Sequence, residues 1–324
     1  MSDDTILVLA DPDLSQLGLL RQKLPDVEIL AGNSTETVRA AAPRVTVLFN
    51  WSGSLALFRE VFLLCPKLRW IHSRSVGLER TLFPELVASS VPLTNGIGIF
   101  SPALAEFTLG AILYFAKDFR RMIRNQEAGE WKPFDVTPVA GQTVGIVGYG
   151  DIGRAIAARV RPLGMRVLAM RRHASDAMRA ADALVDATYG PEQRIEMIRQ
   201  CDYVVVAAPL TAETRGMIGA AEFAAMKPTA VIMNIGRGPI IDEAAMIDAL
   251  RAGRIRGAAL DVFDQEPLPA GHAFYAMQNV LLSPHCADHT PTWLDDAMEL
   301  FIAQYERFRK GEKLRNIVDK KLGY

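Results

Sequence analysis

The chain has 324 residues, half of them hydrophobic, and a formal net charge of -1. This length predicts about two domains with sizeable cores, and the near-neutral charge excludes the basic surface with which proteins bind nucleic acid or anionic membranes. Cys65, Cys201 and Cys286 are widely spaced and form no CxxC pair, so we expect neither a disulfide framework nor a metal site. The acidic start of the chain lacks the features of a signal peptide, and no apolar run is long enough to span a bilayer, so we expect a cytoplasmic protein.

Short apolar runs alternate with amphipathic segments over residues 1–108, which predicts a small α/β unit with a parallel sheet. Ser34 is a candidate N-cap for the second helix. The predicted strands are 6–9, 27–30, 45–49, 68–71 and 91–93, and the predicted helices are 14–24, 35–42 and 55–64.

Two loops of this unit each follow a predicted strand: Asn50-Trp51-Ser52-Gly53 and Ser73-Arg74-Ser75-Val76-Gly77. Ligands of open α/β sheets bind beyond the carboxyl ends of the strands. Trp51 and Arg74 are therefore candidate substrate contacts. The alternative is that Trp51 is a half-buried loop aromatic and Arg74 a solvated charge.

A long helix over residues 105–121 is predicted to lead into a second unit in which strands and helices alternate more cleanly. Six strands with helical crossovers describe a Rossmann domain. The predicted strands are 144–147, 166–169, 203–207, 230–234, 258–261 and 280–282, and the predicted helices are 154–163, 193–199, 220–226 and 243–252.

The last predicted helix, 292–309, is expected to leave this unit and pack on the first one. The sequence thus predicts an α/β fold with two Rossmann- or flavodoxin-like parallel-sheet domains and a cleft between them. We assign residues 1–108 and 290–324 to a discontinuous substrate (catalytic) domain, and residues 109–289 to a dinucleotide-binding Rossmann domain.

The centre of the chain carries a glycine turn. An apolar strand runs into Gly148-x-Gly150-x-x-Gly153, and a helical pattern follows at once. In this context the glycine spacing is typical of dinucleotide binding, although a β-α turn without a ligand is the alternative. Gly148 permits the turn, Gly150 lets a diphosphate approach the backbone, and Gly153 allows close packing of helix and strand. The amides at the positive end of the helix dipole would hold the phosphates.

The second strand of the domain ends in Met170-Arg171-Arg172, where an NAD-binding domain has an acidic residue for the ribose 2′-hydroxyl. A guanidinium suits a 2′-phosphate, and the missing carboxylate removes a repulsion against one. The sequence therefore predicts NADP(H) rather than NAD(H). The alternative is that both arginines begin an exposed basic helix.

Three further motifs lie at strand ends or just beyond them, and they carry Arg237, Glu266 and His285. Arg237 offers two parallel donors to a carboxylate and can polarise a neighbouring carbonyl. His285 can donate a proton to a developing alkoxide and recover it in the reverse direction. Glu266, if it is hydrogen-bonded to His285, would stabilise the imidazolium and fix its orientation. This set suits the reduction of a 2-keto acid by a hydride from the cofactor.

These motifs, in this order, resemble those of the D-isomer-specific 2-hydroxyacid dehydrogenase family. The resemblance runs over nearly the whole chain and is strongest over residues 141–287. It implies Arg237, Glu266 and His285 as the catalytic set, and it implies that Asp261 holds the nicotinamide amide. It further implies that the Val76-Gly77 backbone binds the substrate carboxylate, and that the protein is a homodimer whose domains close on the substrate.

Two departures from the family pattern matter. Arg171 replaces the acidic ribose residue, which matches the NADP-using glyoxylate/hydroxypyruvate reductase branch. Asp288 replaces a common glycine after His-x-Ala, which leaves the shape of that loop open. The candidate substrate-binding residues are Trp51, Arg74, Val76, Gly77, Arg237 and His285. The candidate cofactor-binding residues are Gly148, Tyr149, Gly150, Asp151, Ile152, Gly153, Arg171, Arg172, Ala208, Pro209, Thr214, Ile235, Gly236, Arg237, Asp261 and His285.

The leading hypothesis is an NADPH-dependent reductase of small 2-keto acids, with glyoxylate or hydroxypyruvate as first candidates. A second hypothesis is an NADP-linked dehydrogenase of a bulkier, aromatic 2-keto acid, with Trp51 and Trp293 lining its pocket. A third is a non-enzymatic, dinucleotide-sensing protein similar to the corepressors on this fold, since such proteins can retain the same three residues.

Overall fold

The computed structural model describes residues 4–172 and 182–324, which form two compact units. The first unit comprises the described residues up to Phe100 together with Thr290–Tyr324, and the second comprises the described part of Ser101–His289. No helix among these described residues has both the length and the apolar character needed to cross a membrane.

The first unit is a five-stranded parallel sheet in the order β2-β1-β3-β4-β5. This is the flavodoxin-like order, in which both faces of the sheet are covered. The strands are β1 (Thr5–Leu9), β2 (Glu28–Gly32), β3 (Val47–Asn50), β4 (Trp70–Ser73) and β5 (Leu93–Thr94), and the helices are α1 (Gln16–Lys23), α2 (Thr35–Val38), α3 (Leu55–Leu64) and α4 (Pro84–Ala88).

The C-terminal helix, Trp293–Arg309, packs against α1 and covers one face of this sheet. Its Phe301 stacks on Phe49 of β3 and on Trp70 of β4. The first unit therefore draws its core from both ends of the chain. The Ser34 side chain accepts a hydrogen bond from the Thr37 amide, which confirms the predicted cap, but α2 is shorter than predicted and ends at Val38.

The second unit is a seven-stranded parallel sheet in the order β12-β11-β10-β9-β6-β7-β8. Because all the strands are parallel, their carboxyl ends share one edge of the sheet. The strands are β6 (Thr143–Val147), β7 (Arg166–Met170), β8 (Ala187–Tyr189), β9 (Tyr203–Val206), β10 (Val231–Asn234), β11 (Gly257–Leu260) and β12 (Val280–Leu282). The helices described in this unit are α5 (Ser101–Ala116), α6 (Phe119–Glu127), α7 (Asp151–Val160), α8 (Arg194–Ile198), α9 (Ala220–Ala225), α10 (Glu243–Arg251) and α11 (Ala273–Ala276).

The prediction of six strands was wrong, because β8 is a seventh. Ala187–Tyr189 contains only three residues and no apolar run, so periodicity does not reveal it. The strand exists because it pairs with β7 at the sheet edge.

The single helix predicted over residues 105–121 is two helices, α5 and α6. Between them Asp118 has a left-handed backbone (φ 52°), and its carboxylate caps the Arg121 amide. Helix α5 packs against α7 within the second unit, which begins at Ser101. The division into a substrate domain and a dinucleotide-binding domain near residue 109 stays a prediction.

Candidate active site

The glycine turn between β6 and α7 shows a different physical role for each glycine. Gly148 has a φ of +95°, and a Cβ there would lie 2.5 Å from the Ala208 backbone. A Cβ on Gly153 would lie 2.8 Å from the carbonyl oxygen of Gly148, so close packing of helix and strand requires this glycine. A Cβ on Gly150 would meet nothing within 4 Å. The open space lies at the N-terminus of α7, whose N-cap carries no side chain, and this fits a diphosphate.

Two further residues of the glycine motif lie in the first turn of α7. The Asp151 carboxylate accepts a hydrogen bond from Ser101, so its side chain is engaged within the second unit. Ile152 follows it and is partly buried. Because both residues lie in the first turn of the helix, their backbone amides, rather than their side chains, are the groups suited to bind phosphates.

A cluster of charged and aromatic side chains follows β6 and β7. The Arg171 guanidinium lies 4.6 Å from the centroid of the Tyr149 ring, and the Tyr149 hydroxyl donates to Asp182 over 3.0 Å. Burial and the Asp182 carboxylate raise the pKa of Tyr149 well above its usual value. Asp182 also accepts from Arg154 at 2.9 Å.

The two arginines after β7 differ in their partners. Arg172 forms an ion pair with Glu213, whereas no carboxylate among the described residues pairs with Arg171. Arg171 is therefore the better candidate for a 2′-phosphate, since its positive charge is not offset by a described ion pair.

The remaining candidate cofactor residues follow β9 and β10. Ala208 is buried against Gly148, and the Thr214 hydroxyl donates to the Pro209 carbonyl over 2.6 Å, which fixes the loop after β9. Ile235 is buried directly after β10. A Cβ on Gly236 would lie 2.8 Å from the Ala208 carbonyl oxygen, so the loops after β9 and β10 are in close contact.

Asn234, the last residue of β10, fixes the Arg237 loop through two hydrogen bonds of its side chain. The Asn234 side chain donates to the Arg237 carbonyl over 3.0 Å and accepts from the Gly236 amide over 3.1 Å. Arg237 Nη1 donates to the Gly236 carbonyl over 2.7 Å. A Cβ on Gly238 would lie 2.0 Å from the Phe263 carbonyl oxygen, so this loop lies directly against the segment that leads to Glu266.

His285 and Glu266 are 19 residues apart along the chain and are hydrogen-bonded. Nδ1 of His285 lies 2.7 Å from Oε2 of Glu266, and Oε1 of Glu266 accepts from the Phe263 amide over 2.9 Å. The carboxylate makes Nδ1 the donor, and Nε2 has no partner among the described residues. The His285 side chain is 41% exposed, so Nε2 can meet a ligand.

The backbone of His285 is left-handed, with a φ of +51°. Such a conformation costs about 1–3 kcal/mol in a residue other than glycine and persists only where the surroundings impose it. Asp288 does not share this conformation. The aspartate that replaces the family's glycine therefore requires no left-handed backbone, and burial raises its pKa.

Asp261 fixes the His285 loop, a role that the sequence analysis missed. Its Oδ1 accepts hydrogen bonds from the Ser283 hydroxyl (2.6 Å) and from the amides of Cys286 and Ala287 (both 3.0 Å). The signal was an aspartate directly after β11 and a serine directly after β12, two strands that pair. The predicted contact of Asp261 with the nicotinamide amide stays a prediction.

The candidate substrate residues of the first unit follow β3 and β4. Trp51 is 6% exposed, so it is more buried than the half-buried aromatic considered above. Arg74 is not a solvated charge, because it is half-buried beside the rings of Trp51 and Trp293. The backbone amides of Val76 and Gly77 have no acceptor within the described residues, so they are open to a carboxylate.

Comparison with known proteins agrees with this geometry. The sequence profile of the family described as "D-isomer specific 2-hydroxyacid dehydrogenase, NAD binding domain" matches residues 109–287. A glyoxylate reductase from Thermococcus gammatolerans is 33% identical over 296 residues, which are 89% of this chain and 85% of that protein.

Two solved structures are similar over their whole length. A D-isomer specific 2-hydroxyacid dehydrogenase from Xanthobacter autotrophicus Py2, in complex with NADPH and MES, has a TM-score of 0.86 and 29% identity, with 100% of both chains covered. An NADPH-dependent glyoxylate/hydroxypyruvate reductase from Sinorhizobium meliloti, in complex with NADP and sulfate, has a TM-score of 0.85 and 25% identity, with 99% of this chain and 100% of that chain covered. This chain belongs to the D-isomer-specific 2-hydroxyacid dehydrogenase family.

Proposed function

We propose that this protein is an NADPH-dependent reductase that converts small 2-keto acids, of the glyoxylate and hydroxypyruvate class, to D-2-hydroxy acids. The observation that carries the proposal is the hydrogen bond between His285 Nδ1 and Glu266, which leaves Nε2 of the partly exposed imidazole available to a substrate at the same sheet edge as the glycine turn. The relatives named as glyoxylate reductases support this substrate class.

The roles of the three side chains follow from their chemistry. The cofactor, when bound, supplies a hydride to the carbonyl carbon. His285 donates the Nε2 proton to the carbonyl oxygen as negative charge develops there. Glu266 stabilises the imidazolium form that donates this proton, and it keeps Nδ1 protonated once the Nε2 proton has been transferred and the ring is neutral. Arg237 binds the substrate carboxylate through two N–H groups. The amides of Val76 and Gly77 are proposed to bind the same carboxylate, as the resemblance implies.

The preference for NADPH rests on Arg171. Its guanidinium lies on the Tyr149 ring without an ion-pair partner among the described residues, while Arg172 is paired with Glu213. The solved relatives with NADPH and NADP support this choice. We therefore propose that Arg171 binds the 2′-phosphate and that Arg172 contributes less.

The cofactor preference is tested by the variants Arg171→Ser and Arg172→Ser, whose initial rates are measured with NADPH and NADH. Loss of one charge-assisted contact should lower kcat/KM for NADPH by about 10- to 100-fold in Arg171→Ser. The rate with NADH should change little, and Arg172→Ser should show a smaller loss. A wild-type protein that prefers NADH would contradict the proposal.

The substrate class is tested with glyoxylate, hydroxypyruvate and phenylpyruvate at saturating NADPH. We expect turnover with the first two and a much lower kcat/KM for phenylpyruvate, because Arg74 already lies against the rings of Trp51 and Trp293. Efficient reduction of phenylpyruvate would favour the aromatic alternative. Cofactor binding without turnover of any 2-keto acid would favour the dinucleotide-sensing alternative. The homodimer stays a prediction, which sedimentation velocity can check.

A further inference from the structure

Arg74, in the loop directly after β4, contacts two tryptophan rings. Its guanidinium carbon is 4.9 Å from the ring centroid of Trp51 and 5.0 Å from that of Trp293. Trp51 is itself held edge-on against Phe49, and Trp293 contacts Phe100. In cation–π contacts of this kind the aromatic rings pack against the face of the guanidinium. The N–H groups at its edge stay available as hydrogen-bond donors.

The guanidinium has no anionic partner within the described residues. Its side-chain nitrogens form no hydrogen bond or ion pair with residues 4–172 or 182–324, although the group is half-buried. Other arginines of the same unit are paired, such as Arg44 with Glu28 and Arg59 with Glu85. Burial lowers the pKa of Arg74, and no carboxylate in the described part of the chain opposes this effect. A half-buried cation whose donors have no protein acceptor among the described residues is suited to binding an anion that arrives with a ligand.

The loop that carries Arg74 also carries the open amides of Val76 and Gly77. It therefore presents two sets of donors, two residues apart: backbone amides that suit one carboxylate, and a guanidinium that suits a second anionic group. A monoanionic acid such as glyoxylate has no group for the second set.

We propose that Arg74 binds a second anionic group of the substrate, so that the protein favours short 2-keto acids that carry a carboxylate or a phosphate at the end remote from the carbonyl. The inference rests on the proposed 2-keto acid reductase function and specifies its substrate class. Trp51 and Trp293 act as positioning residues, because they hold the guanidinium in place.

The test uses two matched substrate pairs. Oxaloacetate and 2-oxobutanoate share a four-carbon chain and differ in the terminal carboxylate, and 3-phosphohydroxypyruvate and hydroxypyruvate differ in the phosphate. The measured quantity is the ratio of kcat/KM for the dianion to that for its counterpart, in wild type, Arg74→Met, Arg74→Lys and the control Arg80→Met. Arg80 is exposed and close to Arg74 in the sequence. Melting temperatures verify that each variant is folded.

We expect Arg74→Met to lower the ratio of at least one pair by about 10- to 100-fold. Arg74→Lys should restore part of it, because the charge remains while the planar fork is lost. Arg80→Met should leave it unchanged. The pair that responds identifies the anionic group as a carboxylate or a phosphate. If the kcat/KM ratios of both substrate pairs are the same in Arg74→Met as in Arg80→Met, the proposal is overturned.

A binding measurement separates this proposal from the function on which it rests. Succinate and butyrate are titrated calorimetrically into wild type and Arg74→Met. Succinate binding that depends on Arg74, in a protein that reduces none of the four 2-keto acids, would support the anion site and overturn the reductase function. The opposite outcome is that the protein reduces 2-keto acids, while neither the kcat/KM ratios nor succinate binding depends on Arg74. This outcome would overturn the anion site and leave the reductase function intact.

Discussion

His72 and His285 show how differently the two units use a histidine at the carboxyl end of a parallel strand. His72 lies within β4 and is fully buried beside the rings of Phe49, Trp70 and Phe301. Its Nδ1 is 2.7 Å from the Thr94 hydroxyl, and burial lowers its pKa to about 3. The imidazole is therefore neutral over the physiological range and belongs to the core.

His285 lies three residues beyond β12, on a left-handed backbone, and its partner is the carboxylate of Glu266. The side chain is partly exposed, which leaves Nε2 available. The comparison shows that position at a strand end does not by itself give a histidine a chemical role. A paired carboxylate and a partly exposed side chain distinguish the candidate acid from the core residue.

The largest expected effect follows from His285→Asn. Asparagine tolerates a left-handed backbone, so the loop should keep its shape while the proton donor is lost. We expect kcat for the reduction of glyoxylate to fall by about 10²- to 10⁴-fold, with the Kd for NADPH changed little. The matched control is His289→Asn, which replaces a neighbouring exposed histidine. Both variants are compared by stopped-flow and steady-state assays. An equal loss of kcat in His285→Asn and His289→Asn would contradict the role of His285 as the proton donor.

Glu266→Gln should have the next largest effect. The amide fills the same space but cannot stabilise the imidazolium, so we expect kcat to fall by about 10- to 100-fold, as loss of a charge-assisted contact does. The KM for NADPH should stay close to its wild-type value. Glu266→Asp should recover part of the loss. Wild-type kcat in Glu266→Gln would mean that the hydrogen bond to His285 only shapes the loop.

His72 should affect stability rather than catalysis. The unfolded chain binds a proton near pH 6.5, whereas the folded chain does so only near pH 3. The free energy of unfolding should therefore be insensitive to His72 above pH 6.5 and should decrease as the pH falls below it, by up to about 1.4 kcal/mol per pH unit. His72→Phe should show a shallower decrease.

Urea unfolding at pH 7, 6 and 5, followed by tryptophan fluorescence, measures this slope. Trp51, Trp70 and Trp293 belong to the first unit, and Trp131 of the second is 97% exposed, so the signal reports mainly on the unit that contains His72. Equal slopes in wild type and His72→Phe would show that the buried imidazole does not contribute to acid sensitivity.

Local signals in the sequence predicted much of the fold. The buried strands and the glycine turn were found because apolar runs and glycine spacing are read over a few neighbouring residues. The edge strand Ala187–Tyr189 was missed because pairing with β7, not its own composition, makes it a strand. The break between α5 and α6 was missed because it depends on the left-handed backbone of Asp118.

The sequence by itself determined the family, the α/β class and the three side chains suited to hydride-transfer chemistry, because each is carried by a short, ordered motif. Only the tertiary structure decided how those groups are partnered: Glu266 with His285, Arg172 with Glu213, Asp261 with the His285 loop, and Arg74 with two indole rings. Such partners are separated by 19 or more residues along the chain, and packing of the sheets and loops determines which of them meet.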